Sequence, residues 1–228
     1  MTADRWAQEL RPYGLLVVAP ETWEEDERAL ILRAVQRMAQ ALGGAEGMQR
    51  ALGNVRLEKR KEGGGGLYAF WPRPPWMRIL IGAPILHQQP EWLGEVAVVH
   101  ELAHAWDART ANIAARVLGR PGRIVRELVR FVGEEPGPTW YGSGFSGLRR
   151  TLRAAGEQWA ETVAAYLYPE YIAHLSSCPA EQEWPQRVGL AEHPRPGLGI
   201  RHRIYVEGRF GEIRLLTTNG DPSASLTE

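Results

Sequence analysis

The strongest constraint on folding lies in the middle of this 228-residue chain, where apolar side chains recur at the spacing of an α-helix. Pro90 suits the first turn of such a helix. The apolar residues after it lie three or four positions apart: Trp92, Val96, Val99, Ala103 and Trp106. This stripe must be buried against other elements, so we predict a buried helix in which polar side chains need partners.

The same segment carries the string His100-Glu101-Leu102-Ala103-His104, which has the pattern H-E-x-x-H. On a helix, positions four apart lie on one face, so the imidazoles of His100 and His104 can bind one metal ion. Zinc suits such ligands and lowers the pKa of a water bound to it toward ~7. Glu101 projects beside the histidines and is the candidate general base that activates this water. The alternative interpretation is a chance pattern of two solvated histidines, which the apolar neighbours disfavour.

A catalytic zinc site needs a third protein ligand. The metzincin continuation of the motif is absent, because Asp107 stands in place of its glycine and Thr110 in place of its third histidine. Glu157 and Glu161 are the next candidates, four residues apart on a second predicted helix. One carboxylate could bind zinc while the other accepts a hydrogen bond from a ligand histidine. An exposed helix face is the alternative, which the apolar flanking residues disfavour.

Taken together, HELAHAWD and the later EQWAETVAAYLYP resemble the gluzincin metallopeptidases, especially small bacterial zincins and the catalytic domain of anthrax lethal factor. Those proteins carry H-E-x-x-H on one helix and E-x-x-A-E on a later one. By this match Glu157 is the third zinc ligand and Glu161 the supporting residue. The resemblance spans approximately Met77 to Tyr168, and it implies one zinc ion per chain.

The resemblance also implies an α+β, zincin-like fold: a small mixed sheet, an active-site helix and a second ligand-bearing helix. In such a fold an edge strand precedes the active-site helix and can pair with an extended peptide. The strand in that place contains Arg78, Ile79, Leu80 and Ile81. Related enzymes supply a Tyr or His that stabilises the oxyanion. Tyr141 is the candidate here, with His202 as a second one, although Tyr141 is equally well interpreted as a loop aromatic that covers the core.

Chain organisation indicates one domain over residues 1–228. We expect an N-terminal part of helix and strand over 1–75 and a catalytic core over 77–168. Two short runs that flank Gly208 and Gly211 predict a terminal hairpin over 200–217.

Composition excludes several classes of function. Basic and acidic residues number 27 each, so no charge excess favours nucleic acid or an anionic membrane as a partner. The single cysteine, Cys178, cannot build a cysteine-rich zinc site or an internal disulfide. The N-terminus lacks the pattern of a signal peptide, so we expect a cytoplasmic protein, with non-classical export left open.

Two functions follow from these observations. The first is a zinc-dependent metallopeptidase that hydrolyses peptide or protein substrates with a zinc-bound water activated by Glu101. The alternative is a catalytically dormant zinc-binding module with a regulatory or protein-interaction role. Glu101 and the count of three protein ligands favour the peptidase, because a structural zinc site normally has four protein ligands and needs no base.

Overall fold

The computed structural model describes residues 1–60, 66–70, 77–117, 120–139, 152–177 and 196–218. The strands in these ranges are β1 (Leu15–Val17), β2 (Val55–Arg60), β3 (Gly66–Phe70) and β4 (Met77–Gly82). The helices are α1 (Ala3–Leu10), α2 (Glu25–Ala41), α3 (Ala45–Leu52), α4 (Ala83–Leu86), α5 (Trp92–Arg109), α6 (Ile113–Val117), α7 (Arg123–Val132), α8 (Leu152–Leu167), α9 (Pro169–Ser177) and α10 (Ile200–Thr218). These ranges are therefore helix-rich with one small sheet, as the sequence predicts at this coarse level. No helix in the described ranges is long and apolar enough to span a membrane.

The four strands form one mixed sheet in the order β1-β2-β4-β3. β1, β2 and β4 are mutually parallel, whereas β3 runs antiparallel to β4. Alternate side chains of β2 and β4 are buried: Val55, Leu57, Met77, Ile79 and Ile81. This alternation places one face of the sheet against the core.

The sheet order corrects the prediction that Arg78, Ile79, Leu80 and Ile81 form the substrate-binding edge. β4 pairs with β2 along one side and with β3 along the other. Both of its rows of backbone N–H and C=O groups are thus used within the sheet, so it cannot accept a peptide. Among the described strands, the outer ones are β1 and β3, and β3 lies on the side of β4 away from β2.

Helix α5 is the central helix of the core. It contacts β3 and β4 of the sheet and also α2 and α8. Its buried apolar residues include Val99, Leu102, Ala103 and Trp106. The predicted helix in this part of the chain is confirmed, and burial on several sides explains why its apolar residues extend beyond a single stripe.

The C-terminal segment corrects a second prediction, because 200–217 lies within helix α10 and is not a hairpin. The buried residues of α10 are His202, Tyr205, Val206 and Phe210, whose spacing is helical. Gly208 and Gly211 favour a turn by intrinsic preference. Burial of the four side chains outweighs that preference. A Cβ atom at either glycine would meet no atom within 4 Å, so packing in the helix does not require glycine at these positions.

Candidate metal centre

Three side chains with metal-binding atoms converge where α5 faces α8. His100 and His104 come from α5 and Glu157 from α8. The two Nε2 atoms are 3.1 Å apart, and Glu157 Oε2 lies 3.0 Å from His100 Nε2 and 3.4 Å from His104 Nε2. Ligand atoms about 2.0–2.1 Å from a tetrahedral zinc ion are separated by roughly 3.3 Å. The separations of the three atoms therefore fit those expected for ligands of one tetrahedral ion.

Tryptophan packing holds α5 and α8 close enough for the three side chains to meet. The indole Nε1 of Trp159 on α8 donates to the carbonyl oxygen of Ala103 on α5 at 3.0 Å. Its ring also packs edge-on against Trp106, with centroids 5.3 Å apart. Both contacts are buried and lie next to the ligand positions. Gly156 of α8 lies beside His104, and a Cβ atom there would meet Cε1 of His104 at an ordinary contact distance of 3.8 Å.

The second carboxylate of the E-x-x-A-E motif meets the opposite nitrogen of the first histidine. Glu161 Oε1 lies 2.9 Å from His100 Nδ1, and Glu161 is only 4% exposed. The hydroxyl of Tyr171, on α9, donates to Glu161 Oε2 at 3.1 Å. A carboxylate at Nδ1 favours the tautomer with the proton on Nδ1, which leaves the Nε2 lone pair for a metal.

Electrostatics in the metal-free site follow from burial and the two carboxylates. Burial by itself lowers the pKa of His100, but hydrogen bonds to Glu157 and Glu161 outweigh it and raise that pKa to about 10. Burial raises the pKa of Glu157, but its bonds to His100 and His104 prevail and hold that pKa below the ordinary range. These shifts favour a charged pair between His100 and Glu157, and a divalent cation would replace the proton between the two side chains.

Glu101, the predicted general base, is buried on α5 at 7% exposure. It follows His100 directly, so its side chain leaves the helix axis about 100° further round than that of His100. The negative charge of Glu101 contributes to the raised pKa of His100.

The structure describes only one of the two predicted oxyanion donors, His202. Tyr141 lies outside the described residues. His202 is fully buried, and both its ring nitrogens are engaged: Nδ1 with Glu135 Oε2 at 2.7 Å, and Nε2 with the Gln158 side-chain amide at 2.9 Å. Burial lowers the pKa of His202 even though Glu135 opposes it. As placed here, His202 links α10 to α8 and is not available to a substrate.

Asp107, one turn beyond His104 on α5, caps helix α7. Its Oδ2 accepts from the backbone N–H of Gly122 at 2.7 Å, and its Oδ1 from that of Val125 at 2.9 Å. Thr110 Oγ1 accepts from the backbone N–H of Arg123 at 2.7 Å. The N-terminus of α7 is thereby fixed to the C-terminal end of α5.

Sequence patterns missed several residues around the site: Tyr171, Gln158 and Glu135. Tyr171 lies ten residues after Glu161, on a separate helix, and Glu135 reaches His202 from the segment after α7. No local spacing connects such residues, because their contacts depend on how the helices pack.

A second group of ligand-type side chains occurs in the described residues, formed by Glu24, Asp26 and His87. All three are exposed, and Glu24 already caps α2 in a reciprocal capping box with Glu27. Acidic residues are favoured at a helix N-terminus for structural reasons, so this group is explained without a metal.

Comparison with known proteins identifies one similar solved structure and no matching family. No protein-family model matches this sequence, and the comparison with curated proteins returned no match. One solved structure is similar, a "putative zinc-binding metallo-peptidase" from Bacteroides caccae ATCC 43185. It shares 14% sequence identity over 95% of this chain and 84% of that chain, with a TM-score of 0.37. A TM-score this low does not establish a shared fold, so the side-chain geometry has to carry the functional conclusion.

Proposed function

We propose that this chain is a zinc-dependent metallopeptidase in which Glu101 is the general base. The observation that supports the proposal most strongly is the convergence of His100 Nε2, His104 Nε2 and Glu157 Oε2 within 3.0–3.4 Å of one another. Two imidazoles and one carboxylate form a donor set typical of catalytic zinc sites. The lone cysteine lies outside this set, and the ligands lie on two helices that their tryptophans hold together.

In this proposal His100, His104 and Glu157 hold the zinc ion, and Glu161 orients His100. When bound, zinc supplies a Lewis acid that lowers the pKa of water and polarises a substrate carbonyl. Glu101 accepts a proton from the attacking water and later donates it to the amine that leaves. Its place on α5, directly after His100, sets the carboxylate beside the proposed metal centre.

The sheet supports a peptide as the proposed substrate. β3 (Gly66–Phe70) is an outer strand and contacts α5, which carries the histidines. In this proposal an extended peptide pairs with the side of β3 that no strand in the described ranges occupies, next to the helix that carries the histidines. In this revised assignment β3 takes the role that the sequence assigned to Arg78, Ile79, Leu80 and Ile81.

The experiment that tests the proposal compares the wild type with Glu101→Gln. Gln keeps the size of the side chain but cannot take the proton, so cleavage of a responsive library peptide should fall ~10²–10⁴-fold. Zinc content and melting temperature should be unchanged, because Glu101 is not a ligand. Glu91→Gln, just before α5, is the matched control and should cleave like the wild type.

Unchanged cleavage by Glu101→Gln would contradict the assigned base. A chelator should abolish cleavage by the wild type, and added zinc should restore it. Zinc binding by the wild type without cleavage of any library peptide would favour the dormant module over the peptidase.

A further inference from the structure

We infer that Tyr171 is a positioning residue for the metal ligand His100 and that it acts through Glu161. The inference rests on the proposed zinc site and adds a member that no sequence motif contains. Three elements meet in one line of contacts: His100 on α5, Glu161 on α8 and Tyr171 on α9. Each of the two carboxylate oxygens of Glu161 meets one neighbour, Oε1 at 2.9 Å from His100 Nδ1 and Oε2 at 3.1 Å from the Tyr171 hydroxyl.

Burial makes the hydroxyl of Tyr171 important to this carboxylate. Glu161 is 4% exposed, so bulk water cannot easily replace a donor that is removed. A buried carboxylate is stabilised by each hydrogen bond it accepts, and two donors on different oxygens fix its plane. Because Glu161 orients the imidazole of His100, the hydroxyl also fixes the direction in which His100 Nε2 points.

The position of Tyr171 does not itself depend on Glu161. Helix α9 is anchored by Tyr168, just before its first residue, whose hydroxyl donates to Glu95 Oε2 at 3.0 Å. The guanidinium of Arg37 lies 4.1 Å from the centroid of the Tyr168 ring, and the ring of Tyr171 packs against the hydrophobic core. Removal of the Tyr171 hydroxyl should therefore leave α9 in place while the carboxylate loses a donor.

Two opposing effects follow from loss of the hydroxyl. The carboxylate becomes a stronger acceptor toward His100 Nδ1, which makes the imidazole a more basic ligand. It also loses the donor that fixes its orientation, which weakens the alignment of His100. The second effect prevails, because a stronger acceptor at Nδ1 does not restore the direction of the Nε2 lone pair toward the metal.

The experiment measures zinc affinity of Tyr171→Phe by competition with a chromophoric chelator. We expect affinity to fall ~10-fold, within the range for residues that support metal ligands. The absorption spectrum of the cobalt-substituted protein should also change, because the angle at which His100 meets the metal changes. Tyr205→Phe is the matched control: its buried hydroxyl donates to the backbone carbonyl of Ile124 at 2.7 Å, so its loss should affect stability and leave zinc affinity unchanged.

A double-mutant cycle with Glu161→Gln separates positioning from general destabilisation. If Tyr171 acts through Glu161, then Tyr171→Phe should weaken zinc binding no further in the Glu161→Gln background. Wild-type affinity in Tyr171→Phe, or equal losses in both backgrounds, would overturn the inference while leaving the proposed function intact. Absence of zinc binding by the wild type would instead overturn both.

Discussion

Glu157 and Glu161 lie one turn apart on α8, yet they meet opposite nitrogens of His100. Glu157 Oε2 faces Nε2 of His100 and also lies near His104, whereas Glu161 Oε1 faces Nδ1. Of these two carboxylates, only that of Glu157 lies close to the Nε2 atoms of both histidines. The geometry therefore assigns different tasks to two residues of the same type, which the sequence pattern alone leaves open.

The two carboxylates should respond differently to removal of their charge. Glu157→Gln should weaken zinc binding severely, because a neutral amide is a poor zinc ligand and removes the negative charge from the ligand set. Glu161→Gln should weaken it only ~10–100-fold, because the ligand set stays complete. Competition titrations of both variants check this order, and a larger loss in Glu161→Gln would reverse the assignment.

His202 should make stability depend on pH below neutrality. Burial lowers its folded-state pKa, so the unfolded chain binds the proton more readily than the folded protein does. The stabilising contribution is therefore complete above the unfolded pKa of about 6.5 and is lost as the pH falls toward the folded pKa. We expect the free energy of unfolding of metal-free protein to decrease less between pH 7 and pH 5 in His202→Gln than in the wild type. Equal decreases, measured by urea denaturation, would show that His202 does not titrate in this way.

At the scale of elements, α5 carries the proposed ligands His100 and His104 and also fixes the start of α7. Asp107 accepts from two backbone N–H groups at the start of α7, and Thr110 accepts from a third. These groups have no acceptor within α7, because the first turn of a helix lacks preceding carbonyl groups. The end of the ligand helix thus sets where α7 begins.

Asp107→Ala should therefore destabilise the protein by about 1–3 kcal/mol, because it removes a helix cap and leaves buried N–H groups without their acceptor. Asp107→Asn should cost less, since the amide oxygen can still accept one of the two bonds. Urea denaturation measures both, with the exposed Glu134→Ala as a control that should stay within about 0.5 kcal/mol of the wild type. A loss in Asp107→Ala no larger than in the control would contradict the capping role.

The elements also show which parts of the fold the sequence could predict. Helix α5 and its two histidines were predictable because a spacing of four residues on a helix is a local property. The order of the strands was not predictable in this way, because the pairing of β3 with β4 joins residues of two separate segments and is not a local property. Helix α10 was missed because its glycines suggest a turn, although the spacing of Tyr205, Val206 and Phe210 already carried a helical signal. The contacts of Glu161 with Tyr171 and of His202 with Glu135 required packing that no local pattern records.

For the whole molecule, the proposed metal would join two helices that are distant in sequence. His100 and His104 lie on α5, Glu157 lies on α8, and the tryptophan contacts beside them already hold these helices together. Zinc bound by the folded state alone would add its binding free energy to folding. The metal site and the core are therefore expected to stabilise each other.

Zinc content is the most direct test of this account. Protein purified after growth with zinc should contain one zinc ion per chain, and X-ray absorption should show only nitrogen and oxygen ligands at about 2.0–2.2 Å. His104→Ala should lose both the metal and the increase in melting temperature that zinc gives the wild type. Purified protein that contains no zinc and takes up none on titration, or a zinc ion with sulfur ligands, would contradict the assignment of His100, His104 and Glu157 as the metal centre.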